Sequence, residues 1–398
     1  MVDSFIPHIR FKMCKNQWEK NKISKLAKFN PKSTLPEKFK YVDLESVLGT
    51  DLISYREVSR ENAPSRAQRL AQKGDIFYQT VRPYQKNNYL FDSNEKDYVF
   101  STGYAQLRPL IDSAFLLARL QEESFVNMVL ERCTGTSYPA INSKDLSKIS
   151  VTIPQTIEEQ SAIGSLFRTL DDLLISYKDN LANYQSLKST MLSKMFPKAV
   201  QTIPEIRLKG FEGEWEIKKF KSISTKRGKT NSKGYDYPAY SVSNQSGLIP
   251  QSEQFEGSRL KNLEKTSYKT VGPNEFAYNP ARINVGSIAF NDIEETVIVS
   301  SLYVIFSLDK SINNNYALLF IKSPEFNKEV RRNTEGSVRE YLFYENFANI
   351  RIPIPPSLEE QQAIGSYFSN LDNLIVAHQE KISQLETLKK KLLQDMFV

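Results

Sequence analysis

The sequence predicts an α+β protein in which two mixed α/β globular parts are separated by two long antiparallel coiled-coil helices. Three observations lead to this fold class: a long segment that occurs twice, a heptad pattern within each copy, and short strand-like runs in the parts between them. The repeat decides the architecture, because two copies of one segment are expected to fold as the same structural unit.

The repeated segment occupies residues 156–196 and 357–397, and the two copies align without a gap with 16 of 41 positions identical. Shorter matches extend the repeat over the rest of the chain. GDIFYQTVR resembles NEFAYNPAR about 200 residues later, and the two tryptophans, Trp18 and Trp215, stand at equivalent places. The sequence therefore predicts an internal pseudo-twofold repeat.

Each copy begins with a helix start signal. Thr156-x-x-Glu159 and Ser357-x-x-Glu360 have the spacing of a capping box. In that motif the hydroxyl caps a free backbone N–H and the glutamate reaches back to the cap residue.

Apolar and aromatic residues recur every seven positions along both copies, which is typical of a coiled-coil seam. The residues expected to pair the helices are Ile163, Leu170, Tyr177, Tyr184, Ile364, Leu371, His378 and Leu385. A companion line is predicted through Leu166, Leu173 and Leu187, and through Tyr367, Leu374 and Leu388. About 40 helical residues span roughly 60 Å, so such a helix needs a partner along its length. Antiparallel pairing would place Tyr177 close to His378, which is then expected to be a packed seam residue.

The parts between the repeated segments read as mixed α/β. Short β-branched and aromatic runs such as Asp75–Tyr78 and Tyr303–Phe306 predict strands. Residues 113–130 and 315–332 each predict one helix.

The net charge is +7, and its distribution points to the globular parts. The two repeated segments hold eight Lys and Arg against eleven Asp and Glu, a balance of −3, so the rest of the chain carries +10. Basic residues interleaved with aromatic ones suit nucleic acid, because lysine and arginine meet phosphates while arginine and amide side chains can read base edges.

The sequence contains few of the residues and motifs that enzymes use for catalysis. There are two histidines and two cysteines, without metal-ligand spacing, and no phosphate-binding loop, dinucleotide fingerprint, zinc-protease or serine-hydrolase motif. We therefore expect no catalytic residue, no bound metal and no cofactor. No signal peptide or membrane span is expected either, which favours a cytoplasmic protein.

The order of these features resembles the specificity subunit of type I restriction–modification systems. The resemblance rests on Ile153-Pro154 through Phe196, on Ile354-Pro355 through Phe397, on the paired Trp-Glu sequences, and on GTSYPAINSKDLSKI before the first helix. It covers essentially the whole chain. The second copy departs from it at GSVREY, which ends at Tyr341.

The resemblance implies a domain organisation and a function. The domains are a target-recognition domain at 1–155, a spacer helix at 156–197, a second target-recognition domain at 198–355 and a second spacer helix at 356–398. Each recognition domain would read one half of a split sequence in double-stranded DNA, while the helices set the unread spacer. The helices would also dock two methylation subunits, which use S-adenosylmethionine, and motor-nuclease subunits would join that assembly.

Candidate DNA-binding residues follow from position and local charge. Those just after the matching strands are Arg82, Tyr84, Lys86, Arg282 and Asn284. Those suggested by local charge are Arg227, Lys229, Arg339 and Tyr341. Two alternatives stay open. The first, which differs only in its partners, is a stand-alone bipartite DNA-binding protein or a specificity subunit of a related system in which methylation and cleavage are arranged differently. The second is a coiled-coil scaffold whose basic halves bind protein or RNA.

Overall fold

The chain folds into two compact units. The residues that the computed structural model describes are 6–14, 16–198, 201–244, 247–254, 265–333 and 341–397. Unit 1 contains Met1–Asn180 and His378–Val398, and unit 2 contains Leu181–Ala377. Unit 1 therefore takes in both ends of the chain.

Unit 1 is mostly built from short strands. Its strands are β1 (Glu19–Lys22), β2 (Ala27–Phe29), β3 (Lys38–Val42), β4 (Val47–Leu48), β5 (Asp51–Leu52), β6 (Arg56–Ser59), β7 (Ala67–Leu70), β8 (Ile76–Gln79), β9 (Tyr89–Leu90), β10 (Tyr98–Ser101), β11 (Tyr104–Pro109) and β12 (Ser150–Ile153). Its helices are α1 (Ile23–Leu26), α2 (Ser113–Gln121), α3 (Glu123–Leu130), α4 (Ser143–Lys148) and the first part of α5 (Ile157–Lys194).

Two four-stranded sheets organise unit 1. One has the order β2-β11-β8-β9 with antiparallel neighbours throughout. The other has the order β6-β3-β10-β7, in which only β3 and β10 run parallel. β1 pairs with β12 just before α5, so the strand that leads into the long helix is tied to the start of the chain.

Unit 2 contains the following elements. Its strands are β13 (Glu216–Lys219), β14 (Ser224–Arg227), β15 (Tyr240–Ser243), β16 (Gly247–Pro250), β17 (Lys269–Val271), β18 (Phe276–Tyr278), β19 (Ile288–Phe290), β20 (Val297–Val299), β21 (Val304–Leu308) and β22 (Arg351–Ile354). Its helices are α6 (Gln251–Gln254), α7 (Asn314–Ile321), α8 (Pro324–Asn333), α9 (Tyr344–Phe347) and the first part of α10 (Leu358–Asp395).

The sheet order of unit 1 recurs in unit 2. The sheet β14-β21-β18-β19 has the order and the antiparallel pairing of β2-β11-β8-β9, and β13 pairs with β22 as β1 pairs with β12. The predicted α+β fold class with an internal repeat is therefore confirmed.

A hydrophobic core lies in each unit between its sheets and helices. In unit 1, Trp18 is buried in a cluster that includes Phe115 and Phe397. In unit 2, Trp215 is buried in a cluster that includes Tyr316 and Phe196. Phe397 and Phe196 are equivalent residues at the ends of the two repeats, so each core receives the end of one long helix.

The helix predictions for the globular parts were wrong in one respect. The run 113–130 forms two helices, because Glu122 between α2 and α3 is extended, with φ −66° and ψ 144°. The run 315–332 also forms two helices, α7 and α8, and Pro324 begins the second. Proline is favoured in the first turn of a helix and disfavoured in its interior, so this break could have been read from the sequence.

Candidate nucleic-acid interface

The predicted DNA-binding residues of unit 1 lie in one loop after β8. Arg82 and Lys86 flank a single 3₁₀ turn, and Tyr84 within the turn is 49% exposed. The Lys86 ammonium is 2.5 Å from the Glu123 carboxylate of α3, so it is already engaged within the unit. The loop thus presents Tyr84 to solvent and holds Lys86 against a helix.

The backbone of this loop is strained at two positions. Arg82 has φ 55° and ψ 55°, and Lys86 has φ 55° and ψ 29°. The left-handed region is sparsely populated by residues other than glycine, asparagine and aspartate. Such strain persists where surrounding contacts over-determine it and is concentrated at functional sites.

Four of the predicted residues of unit 2 lie in two places. Arg227 ends β14, where its Nε donates a 3.0 Å hydrogen bond to Ser307 Oγ, and Lys229 is exposed two residues later. Arg282 and Asn284 are exposed at the 3₁₀ turn after β18.

One further candidate, Tyr341, lies near the start of α9. Tyr341 is 39% exposed, while Arg339 lies outside the described residues. The structure thus locates every candidate except Arg339, and contact of these side chains with DNA stays a prediction.

The helix-pairing residues of unit 1 lie between α5 and α10. Ile163, Leu170 and Leu385 belong to one buried cluster. The rings of Tyr177 and His378 are 5.3 Å apart with planes tilted by 56°, as expected for an antiparallel pair. In unit 2, the predicted residues share a second cluster, in which Ile364 and Leu371 are buried and Tyr184 is partly buried.

The two helix pairs carry the same ion pair with the helices exchanged. In unit 1, Lys389 of α10 donates to Asp171 of α5. In unit 2, Lys188 of α5 donates to Asp372 of α10. Each residue lies 201 positions from its counterpart. This reciprocity is the pattern expected where two helices of repeated sequence pair antiparallel.

The predicted companion line of the seam is right at Leu166 and Tyr367, which are partly buried and pack against the cores. It is wrong at the four leucines that follow, Leu173, Leu187, Leu374 and Leu388. Phe167 and Leu174 are buried next to Ile163 and Leu170, so the buried stripe advances by four, three and four residues. Leu173 and Leu187 are each 41% exposed, and their counterparts Leu374 and Leu388 are 39% and 45% exposed. Each long helix therefore shows solvent an equivalent pair of leucines.

The glutamate of each predicted capping box has a different partner from the one expected. The Thr156 hydroxyl does accept the Glu159 backbone N–H at 3.4 Å. Both carboxylate oxygens of Glu159, however, receive the Arg10 guanidinium, at 2.6 and 2.8 Å. In unit 2, Glu360 receives Arg207 at 2.7 Å on each oxygen. The repeated glutamate thus clamps the helix start to a distant segment by a bidentate, charge-assisted pair.

The glutamine after this glutamate fastens the same helix start to a second element. Gln160 Oε1 accepts the backbone N–H of Asp112, the N-cap residue of α2, at 3.3 Å. Gln361 Oε1 accepts the backbone N–H of Asn313, the N-cap residue of α7, at 2.9 Å. The EEQ sequence is therefore a structural clamp whose role the sequence did not disclose.

Among the described residues we looked for a metal site and for a membrane-spanning helix. Within them, no group of three or more His, Cys, Asp and Glu side chains is placed to hold a metal ion. Among the described helices, none combines the length and the apolar character needed to cross a bilayer.

A family match covers both units. The sequence pattern of the family described as "Type I restriction modification DNA specificity domain" matches residues 15–183 and again residues 212–387. Together these ranges make up well over half of the chain.

Relatives with assigned names agree with this match. The chain is 24% identical over 321 residues to the type I restriction enzyme MjaVIII specificity subunit of Methanocaldococcus jannaschii, covering 72% of this chain and 70% of the relative. It is 30% identical over 139 residues to the type I restriction enzyme HindI specificity subunit of Haemophilus influenzae, covering 33% of this chain and 30% of the relative.

Solved structures share the fold. The crystal structure of a type I restriction–modification S subunit from M. genitalium has a TM-score of 0.63 at 15% identity, covering 99% of both chains. A chain from a study of complex assembly and conformational transition in the type I system has a TM-score of 0.51 at 20% identity, covering 94% of this chain and 96% of that one. The chain therefore belongs to the type I restriction–modification DNA specificity family and is a DNA-specificity subunit of such a system.

Proposed function

We propose that each unit reads one half of a bipartite DNA sequence, while the long helices set the unread spacer and dock two copies of a methylation subunit. The observation that carries this proposal is the recurrence of one sheet order in both units, together with different loops at its edges. A shared frame with unlike loops suits two readers of different half-sites, since specificity resides in the side chains that reach base edges.

The charge distribution supports duplex DNA as the ligand. The chain outside the repeated helices carries +10, whereas those helices are slightly acidic. Cationic side chains that neutralise phosphates release bound counterions, and this provides much of the affinity for DNA without sequence preference. Base contacts from the loops then supply the specificity.

The long helices suit the role of a ruler. One helical turn advances about 5.4 Å along the axis, and one base pair of B-DNA advances about 3.4 Å. Helix length therefore converts into spacer length at about one to two base pairs per turn. Regular helices held by buried residues and ion pairs transmit such a distance better than loops do.

The exposed leucines support the docking of two identical partners. Leu173 and Leu187 on α5 are equivalent to Leu374 and Leu388 on α10, and all four are about 40% exposed. Exposed apolar side chains are candidates for a surface that a partner covers. Since the pattern occurs once on each helix, it fits two copies of one subunit better than two different partners.

The chemistry of the complex is assigned to the partners. The family membership supports assembly with the other subunits of a restriction–modification system and with DNA. We assign methyl transfer from S-adenosylmethionine to the methylation subunits and DNA cleavage to motor-nuclease subunits. This chain would then bind no cofactor and act in the cytoplasm as a non-catalytic reader.

Selection from a library of random DNA duplexes tests the proposal. The chain, with its methylation subunit present, should enrich two short sequences at a fixed separation, and the enrichment should persist as salt is raised. Binding that ignores sequence and weakens steeply with salt would be phosphate binding alone and would contradict the reading role. Enrichment of RNA over duplex DNA would favour the scaffold alternative.

A further inference from the structure

In both units, the loop that carries the predicted arginine, Arg82 or Arg282, contacts the segment just before a short helix, which is α4 in unit 1 and α9 in unit 2. In unit 1, the Arg82 backbone N–H donates to Pro139 O at 2.7 Å, and Val81 forms a β-bridge with Ala140. In unit 2, the Leu342 backbone N–H donates to the backbone oxygen of Pro280 at 3.0 Å. Pro280 stands two residues before Arg282 in the sequence. The same two parts of the repeat are therefore joined twice.

In unit 1 this junction places an exposed aromatic ring on the arginine. The Arg82 guanidinium carbon lies 4.3 Å from the centroid of the Tyr138 ring, while Tyr138 is 62% exposed. A guanidinium on a ring face is held in plane by cation–π attraction. The strained backbone of Arg82 and its stacked side chain together fix where its hydrogen-bond donors can point.

The stacked pair lines a cleft with several amide groups. The cleft has a volume of about 430 Å³, and Gln79, Gln85 and Asn87 also contribute to its wall. Gln79 is 2% exposed and donates to Gln85 Oε1 at 2.8 Å, but its own Oε1 has no hydrogen-bond partner among the described residues. Buried polar atoms are normally hydrogen-bonded, so an unpaired amide acceptor in this wall is an uncommon feature.

In unit 2 the junction presents two aromatic rings. Tyr341 and Phe343 are 39% and 54% exposed, and their ring planes are within 7° of parallel at a centroid distance of 5.9 Å. Leu342 between them is fully buried and anchors the segment. A pair of stacked rings turned to solvent is unusual on a protein surface unless something covers it.

We propose that these two junctions, the Arg82–Tyr138 surface and the Arg282–Phe343 surface, are where the two half-sites are read. Tyr138 and Phe343, which the sequence did not single out, are specificity-determining residues. Tyr138 acts by holding the Arg82 donors toward a base edge, the geometry in which arginine reads guanine bidentately. Phe343 packs with Tyr341 against the nucleic acid beside Arg282. This inference rests on the proposed function, because it names the residues with which each unit would read DNA.

The test is the adenine-methylation motif produced by the full chain with its methylation subunit. Tyr138→Ala and Arg82→Lys should relax discrimination on the order of ten- to hundredfold at one or two positions of a single half-site. The other half-site and the spacer should stay as in the unaltered protein. Arg82→Lys keeps the charge and loses the planar fork, so it separates base reading from phosphate attraction. Phe343→Ala should relax the opposite half-site.

Two control variants complete the design. Tyr138→Phe keeps the stacked ring and should leave the motif unchanged. Tyr55→Ala removes another exposed tyrosine of unit 1, one that packs on Tyr98, and should also leave it unchanged.

The outcomes separate this inference from the function on which it rests. A bipartite motif in the unaltered protein, together with an unchanged motif in Tyr138→Ala and Arg82→Lys, overturns the inference and leaves the proposed function standing. A uniform loss of methylation with the motif intact also overturns it, because the residues would then act only on affinity or folding. The absence of any bipartite motif in the unaltered protein refutes the proposed function itself.

Discussion

Gly164 lies where the start of α5 crosses the N-terminus of α2, and a methyl group at this position has no room. A Cβ there would be 2.5 Å from Asp112 Oδ1 and 2.6 Å from the Phe115 backbone nitrogen. The second contact is with backbone, so a side-chain rotation cannot relieve it. At the equivalent Gly365 the added Cβ would be 3.1 Å from the Asn315 Cβ and 3.4 Å from a side-chain oxygen. Gly164→Ala and Gly365→Ala are therefore the same substitution at equivalent positions, but the added methyl group has less room at Gly164 than at Gly365.

The two variants should differ clearly in stability. Overpacking of a filled site costs about 1–3 kcal/mol, and alanine in place of glycine within a helix returns about 1 kcal/mol. Gly164→Ala should thus lower the free energy of unfolding of unit 1 by up to about 2 kcal/mol. Gly365→Ala should leave unit 2 unchanged or stabilise it by up to about 1 kcal/mol. A difference of about 2 kcal/mol corresponds to a Tm difference of roughly 4–8 °C for a unit of this size.

The two tryptophans make this measurable within one chain. Trp18 is buried in unit 1 and Trp215 in unit 2, so Trp215→Phe leaves fluorescence that reports unit 1 and Trp18→Phe leaves fluorescence that reports unit 2. Urea unfolding in these backgrounds should show Gly164→Ala at a lower midpoint and Gly365→Ala unshifted or higher. Equal shifts, or a stabilising Gly164→Ala, would refute the account of how α5 is seated on α2.

Three further predictions follow from the helices and their surroundings. Leu170→Asp should destabilise unit 1 by at least the 2–5 kcal/mol typical of truncating a buried leucine. Leu173→Asp should leave the free energy of unfolding unchanged and abolish co-purification with the methylation subunit. The reverse pattern would mean that Leu173 faces the core and Leu170 the partner. The pKa of Asp51 is raised by burial and by the nearby charge of Asp171, so ionised Asp51 opposes folding. Asp51→Asn should therefore raise Tm at pH 7 and lose this advantage as the pH falls through the folded-state pKa toward about 3.9, and a pH-independent difference would contradict this. One extra turn in each long helix should lengthen the spacer of the methylation motif by one or two base pairs without altering either half-site. A changed half-site would contradict the proposal that helix length sets the spacer.

Much of the fold could be predicted because its signals are local or repeated. The heptad pattern and the alignment of two long segments identify the helices and the internal repeat without tertiary information. The seam was harder to place, since Leu173 and Leu174 are adjacent leucines and only packing decides which one is buried. The structure buries Leu174 and exposes Leu173, so a shift of one residue separates the core face from the face that we propose for docking.

The candidate site was less predictable because its parts meet across long sequence distances. Arg10 and Glu159 form a bidentate pair although 149 positions separate them. Tyr138 lies in a loop that carries no charge pattern, and the backbone contacts of Val81 and Arg82 with Pro139 and Ala140 bring it to Arg82. The offset between the two copies aligns Arg82 with Arg282 in the sequence alone, but the exposure of the neighbouring aromatic rings could be known only from the fold.

Methylation-aware sequencing of a genome modified by this chain and its methylation subunit tests the central claim most directly. If each unit reads one half-site and the helices set the distance, all modified adenines should fall in one motif made of two short specified sequences separated by a fixed number of unspecified base pairs. A single continuous motif, a spacer of variable length, or modification without sequence preference would contradict the account.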